Sequence, residues 1–379
     1  MANICLNMIV KNESKILPVL FESLKDFIDY YVIVDTGSTD GTQELIPKIM
    51  DKYGIKGEVY EEEWVSFGVN RQQALEKAVG KTKYILIIDA DEELVYNKNF
   101  DFTKLDKSHY GIKRKLGSIE YYLPALINIG DNNKLGWYWK YPVHNILFAA
   151  NCSTGRTDFS MKDIFIKSKM HTGAKSHGVT PYEKYSRDAE LLLEYHLKHP
   201  KDARVVFYLG RSYDDAGRPK EAIEWYNKRV EMGGWPEEVY YSLLRIALCK
   251  LALDKKNKTD TFEKEIVYDF LKAHNYRPTR LEALYHVVKY YRIRNAKKGY
   301  IYGLLATDCL KFPTDILFVD TNIHAYMFAD EFAVCAYHAS DHKLAIKLNN
   351  FIISQKEAGK INIDLTRIKK NLGFSKQKL

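Results

Sequence analysis

The stretch Tyr84-Ile-Leu-Ile-Ile-Asp-Ala-Asp-Glu-Glu-Leu94 constrains this chain more than any other. Tyr84 to Ile88 is a short, Ile-rich apolar run, which suits a strand covered on both faces of a sheet. The run stops at Asp89 and Asp91. Strand side chains alternate, so both carboxylates are expected to point one way and Ala90 the other. Carboxylates at the carboxyl end of a buried strand stand where α/β sheets bind ligands. They suit a hard divalent ion that keeps positions open for phosphate oxygens. A calcium loop would share Asp89, Asp91 and Glu93, but it needs Gly and Glu where Leu94 and Phe100 stand. A capped strand-to-helix turn is the plainer reading of the same acids.

The residues before this stretch decide between these readings. Ile4 to Val10 reads as a strand and ends in Lys11-Asn12-Glu13. Ile16, Leu20, Leu24 and Phe27 then recur at helical spacing. Tyr31-Val-Ile-Val-Asp35 is a second apolar strand, followed by Thr36-Gly-Ser-Thr-Asp-Gly-Thr42, whose glycines suit a tight turn and whose hydroxyls and Asp40 suit a helix cap. A third strand is expected around Glu58 to Tyr60, and a helix opens at Asn70-Arg-Gln-Gln-Ala-Leu75. Strand, helix, strand, helix implies a parallel sheet with right-handed crossovers. No Gly-x-Gly-x-x-Gly is present, and Gly80-Lys-Thr82 lacks the Gly that a phosphate loop carries five residues earlier, where Leu75 stands, which excludes a dinucleotide fingerprint and a phosphate loop.

Met8-Ile-Val-Lys-Asn-Glu13, Val34-Asp-Thr-Gly-Ser-Thr-Asp-Gly-Thr42, Arg71 and Asp89-Ala-Asp-Glu-Glu93 together resemble family 2 glycosyltransferases, in consecutive order and familiar spacing. The resemblance implies a GT-A fold, a nucleotide-sugar donor (a UDP sugar in particular), Mn2+ or Mg2+, and inversion at the sugar carbon. By position it implies that Val10, Asn12 and Glu13 line the nucleotide pocket, that Asp35 meets the base, and that Arg71 meets base or phosphates. It places Asp89, with Ala90, near the ribose and the metal, and makes Asp91 the direct metal ligand. Taken singly, Asp35 and Asp40 would be helix caps and Arg71 a surface ion-pair partner; the four motifs in register favour the functional reading.

Lys115 to Ile129 and Trp137 to Phe148 alternate in a mixed way that suggests strands extending the sheet. Gly136-Trp-Tyr-Trp-Lys-Tyr-Pro-Val-His-Asn-Ile-Leu147 resembles the acceptor-side segment of the same family, which usually closes in a His-Glu pair. Here the pair is His144-Asn145. An inverting transfer needs a base beside the acceptor hydroxyl, and an amide cannot serve; His144 is the nearest titratable candidate, the alternatives being a carboxylate from elsewhere, Asp131 or Asp163, or attack by water with slow donor hydrolysis. Trp137, Tyr138, Trp139 and Tyr141 could stack on a sugar or fill a strand edge. Met170-His-Thr-Gly-Ala174 resembles the family's His-x-Gly element, which implies that His171 completes the metal shell as a third ligand or touches the diphosphate.

From Pro181 onward the pattern is helical. Leu209, Gly210, Tyr213, Ala222 and Tyr226 fall at tetratricopeptide positions, and looser helix pairs are expected over 236–272, 277–315 and 330–355. Such stacks leave a concave surface for a partner or for a second copy of the chain, as a homo-oligomer. The expected division is therefore a GT-A α/β domain over 1–180 and an all-α tetratricopeptide-like domain over 181–379. The remaining composition excludes more than it assigns. No apolar run approaches membrane-spanning length, and five scattered cysteines show no metal or disulfide spacing, which suits a cytoplasmic location. The net charge of +8 is spread without a basic block, so nucleic acid is not an expected partner. The acceptor is expected to be a protein or a glycan. A sugar-phosphate nucleotidyltransferase would need a glycine-rich loop that Lys11-Asn-Glu-Ser14 does not supply. The other competing reading is a transferase-like scaffold that has lost its chemistry, for which Asn145 speaks.

Overall fold

The computed structural model describes residues 4–97, 105–130, 132–151, 160–168, 178–257, 265–306 and 312–379. They form two compact units, Met1–Pro200 and Lys201–Leu379.

The first unit opens with β1 (Ile4–Val10), α1 (Leu17–Leu24), β2 (Tyr30–Asp35), α2 (Thr42–Lys52), β3 (Lys56–Glu61), α3 (Phe67–Ala78) and β4 (Tyr84–Ile87). The expected alternation is present, and these four strands pair in parallel in the order β3-β2-β1-β4. Strand periodicity sorts the core. Leu6, Met8, Tyr84, Leu86 and Ile88 join Leu20, Leu24, Ile46 and Met50 of α1 and α2 on one face. Cys5, Ile85 and Ile87 join Leu75 and Ala78 of α3 on the other. Each fully buried Leu contributes about 1.5–3 kcal/mol over an exposed one, so the two faces hold the strand register firmly: a slip of one residue would exchange them.

The sheet continues past β4 with β5 (Glu92–Tyr96), β6 (His109–Leu116), β7 (Ile119–Asn128) and β10 (Ser160–Ser168), in the order β4-β7-β6-β10-β5. β7 runs antiparallel to β4. The strands β8 (Trp137–Lys140) and β9 (Ile146–Ala149) do not extend this sheet, contrary to the expectation from their alternation. They form a separate two-stranded hairpin, because Trp137 and Leu147 bury against the α3 face of the sheet instead of pairing with its edge. Helix α4 (Pro181–Lys198), capped by a reciprocal Thr180–Glu183 box, ends the unit.

Apart from the two-residue strand β11 (Val319–Asp320) and a π-helical turn (Ile323–Met327), the second unit is built of α-helices: α5 (Ala203–Asp215), α6 (Pro219–Met232), α7 (Pro236–Asn257), α8 (Val267–Tyr276), α9 (Glu282–Arg294), α10 (Ala296–Leu304), α11 (Phe328–His338), α12 (His342–Glu357) and α13 (Thr366–Lys376). Each helix packs on the next in chain order, which is the nearest-neighbour stacking of tetratricopeptide-like arrays. Gly210 explains why the first pair was readable: a Cβ there would stand 2.8 Å from the ring of buried Tyr226, so α5 and α6 approach through the missing side chain. Helix α13 had no counterpart in the expected pairs. The α/β domain followed by a tetratricopeptide-like helical domain is thus the architecture of the chain.

Candidate functional site

In parallel strands the carboxyl ends share one edge, so β1, β2 and β4 deliver their following loops to the same place. The loops are stapled there by their own side chains. Asn12 holds a left-handed backbone (φ 56°), donates its N–H to Ser38 Oγ at 2.8 Å and accepts from the Thr39 N–H at 2.7 Å. The Glu13 N–H donates to Thr42 Oγ1, and the Ser14 N–H to Asp40. Burial would raise the Asp40 carboxyl, but bonds from Thr42 and Ser14 outweigh it and hold the group down at about 2. Val10 is buried at the end of β1 and accepts from Thr36.

Asp35 ends β2 with no exposed surface. Its Oδ1 accepts from the N–H groups of Gly37 (2.9 Å) and Ser38 (2.7 Å) and from Gln43 Nε2 (3.1 Å). Its Oδ2 is buried with no hydrogen-bond partner. A cap would account for the first oxygen and leaves the second unexplained.

Helix α3 carries Arg71. Ser66 caps the helix by accepting from the Val69 N–H, and buried Asn70 ties down the preceding loop by accepting from Val65 and Ser66 and donating to Glu63. The Arg71 guanidinium meets Asp89 at 2.5 Å and lies 5.0 Å from the Trp139 ring centroid. Met8, Ile9, Arg71, Ile87, Asp89 and Trp139 line one crevice, and the Trp139 indole Nε1 is buried without an acceptor.

β4 ends at Ile87, so Asp89, Ala90 and Asp91 form the turn into β5 instead of continuing a strand. Within this turn Asp89 is exposed, Ala90 buried and Asp91 half-buried. Burial, together with the charges of Asp89, Glu92 and Glu13, pushes the Asp91 carboxyl up to about 7. Four carboxylates, from the loop after β1, the turn after β4 and the first residue of β5, therefore share one electrostatic neighbourhood. Among the described residues, no three His, Cys, Asp or Glu side chains converge closely enough to hold a metal ion by themselves. All-oxygen donors at a turn nevertheless fit Mg2+ or Mn2+, which bind through one or two carboxylates and fill their shell with substrate phosphates and water. His171 lies outside the described residues.

His144 sits in the turn between β8 and β9, with a left-handed backbone (φ 49°). Asn145 Nδ2 donates to the Tyr141 carbonyl and closes that turn. The turn packs against the start of α3: a Cβ on Gly68 would stand 2.8 Å from the Tyr141 carbonyl oxygen. Of the four aromatics, Trp137 and Tyr141 are core residues, Trp139 covers Arg71, and Tyr138 is exposed and stacked on Phe148. Sequence reasoning missed Gly68 and the buried pair Arg114–Glu92, whose Nε and Oε1 are 3.1 Å apart. No local signal marks Arg114, since its partner stands 22 residues away.

Residues 5–98 match the model of glycosyl transferase family 2, so the amino-terminal part of the chain carries a domain of that family. A TPR repeat-containing protein of Synechococcus elongatus is 40% identical over 96 residues, which are 25% of this chain and 22% of that relative. The chain therefore spans about a fifth of the length of the curated relative it matches. Among solved structures, S. aureus TarS in complex with UDP-GlcNAc is 14% identical with a TM-score of 0.35, covering 73% of this chain and 90% of that one. MamA is 13% identical with a TM-score of 0.33, covering 46% and 91%. Among the described residues, no helix is long and apolar enough to cross a membrane.

Proposed function

We propose that this chain is a glycosyltransferase that takes a sugar from a nucleotide sugar, a UDP sugar in particular, and passes it with inversion to a hydroxyl of a protein or glycan. The observation that carries this reading is Asp35. Leaving a buried carboxylate oxygen without a donor costs more than a typical hydrogen bond returns, on the order of 1–3 kcal/mol. A base with an imino N–H beside its carbonyls, as in uracil, supplies the missing donor. Val10, Asn12 and Glu13 flank that position on the neighbouring loop.

Arg71 then meets the diphosphate. In the free protein its charge rests on Asp89; a diphosphate offers more negative charge and releases Asp89 toward Asp91. As the bond from sugar to phosphate breaks, charge gathers on the leaving oxygens, and a preorganised guanidinium stabilises it as it develops. Asp89 and Asp91 would hold Mn2+ or Mg2+, which when bound supplies further charge stabilisation to the diphosphate. Inversion requires the acceptor oxygen to arrive opposite the leaving group and lose its proton to a base. His144 is suited to this at neutral pH. Asn145 is not, because an amide does not take up a proton near neutral pH, and its Nδ2 is committed to the Tyr141 carbonyl.

That same commitment favours one other reading, a transferase-like scaffold that holds a partner through its helical repeats. The two separate on donor binding. In a thermal-shift series with Mn2+, UDP at a hundred times its Kd should stabilise the protein by about 2.7 kcal/mol. Asp35→Ala should lose this response for UDP and for UDP sugars alike. If UDP stabilised the variant as well as the parent, the nucleotide assignment would fail; if no nucleotide sugar bound the parent at all, the scaffold reading would replace it.

A further inference from the structure

The Asp89–Asp91 turn is held from beneath by residues that carry no part of the reaction. Glu92 is 6% exposed, as is Arg114. Glu92 Oε2 accepts the Asp89 N–H at 3.0 Å, while its own N–H donates to the Asp89 carbonyl at 3.1 Å. Its other oxygen accepts from Arg114 Nε at 3.1 Å and from Ser168 Oγ at 2.7 Å. Arg114 Nη2 in turn donates to the carbonyl of Ile87, the last residue of β4, at 3.4 Å. One buried ion pair thus joins the end of β4, the turn itself, the middle of β6 and the end of β10.

Stability alone is a poor reason for such a pair. Two charges withdrawn from water often stabilise a fold less than apolar residues of the same volume. This pair is not even fully satisfied, since Arg114 Nη1 is buried without a hydrogen-bond partner. What the pair does supply is direction: it fixes the peptide from which the Asp89 and Asp91 side chains project.

We propose that Glu92 and Arg114 are positioning residues, which set the Asp89–Ala90–Asp91 backbone in the pose from which both carboxylates take a divalent cation together with the donor diphosphate. This rests on the glycosyl-transfer reading above. It assigns the pair to the metal-dependent part of donor binding and not to the base pocket at Asp35, which stands on another strand.

The test uses the full chain with Arg114→Met, Arg114→Lys and the double variant Glu92→Met with Arg114→Met. UDP affinity is measured by calorimetry with and without Mn2+, and exchange of the Asp89 amide by hydrogen–deuterium exchange. The double variant replaces the pair with apolar residues of similar volume, so it should remain folded. It should nevertheless lose about 10- to 100-fold of the UDP affinity measured in Mn2+, as loss of the groups that orient metal ligands typically does. Its affinity without metal should change less than about twofold, and the Asp89 amide should exchange at least about tenfold faster. Arg114→Lys keeps the charge and should recover part of both losses relative to Arg114→Met. A double variant with unaltered Mn2+ dependence, or one that loses affinity equally with and without metal, would overturn the inference. A parent whose UDP affinity ignores Mn2+ would overturn the metal part of the functional reading instead. Amide exchange then decides the present point alone: faster exchange in Arg114→Met upholds the clamp, and unchanged exchange removes it.

Discussion

Asp91 is the side chain whose charge the fold resists most in this site. Its ordinary ionisation lies near 3.9, and burial beside Asp89, Glu92 and Glu13 moves it to about 7. Between those values the folded protein holds a proton that the unfolded chain has released. Stability from this group is therefore complete below about pH 4 and is lost as pH rises through about 7. Asparagine mimics the protonated acid. Without metal, Asp91→Asn should melt with the parent near pH 4 and above it at pH 8, by on the order of 1–2 kcal/mol once partial solvent screening is allowed for. Calorimetry in the presence of a chelator measures this directly, and equal melting points at pH 8 would mean the carboxylate is not crowded. Asp40 shows the opposite arrangement, because the hydroxyls and N–H groups of Thr42 and Ser14 solvate its charge. Of these residue-scale facts the sequence showed the identity of the acids and their order. It did not show their burial, which depends on β5 and β6 arriving from farther along the chain.

At the scale of elements, β1, β2 and β4 were legible because each is an apolar run between turn-forming residues, whereas α3, expected from Asn70, begins three residues earlier at Phe67 behind its Ser66 cap. The hairpin β8–β9 was misassigned for a reason equally physical. Alternation reports that one face is covered, and it does not report by what; Trp137 is covered by the sheet's α3 face, not by a neighbouring strand. The hairpin turn carries two non-glycine residues at positive φ, Tyr141 at 78° and His144 at 49°. Such conformations are uncommon and need anchors. The Asn145 amide is one such anchor. Asn145→Asp preserves shape but offers the Tyr141 carbonyl an acceptor where it needs a donor, and should destabilise the protein by about 1–3 kcal/mol in denaturant melts. A variant as stable as the parent would show that the turn is secured without this bond. The change also bears on His144, which occupies the same turn and would lose its fixed bearing.

For the molecule as a whole, the first helix pair was legible through Gly210 and Tyr226, whose close approach demands those residue types. Later pairs carry the same packing on less distinctive side chains, and α13 carries no signature at all. The clearest consequence at this scale comes from a pairing in the first unit. The family match ends at residue 98, but β4 leans on β7, whose partner positions run from Leu126 to Asn128. A chain ending at Lys98 would keep all four motifs and yet present Tyr84-Ile-Leu-Ile87 as a naked sheet edge, without charge or proline to discourage a second chain from pairing with it. Such a fragment should appear in the aggregated fraction on expression while the full chain stays in solution, and light scattering of the two would tell them apart. The portion of the sequence by which the domain is recognised is therefore smaller than the portion that can exist as a separate molecule.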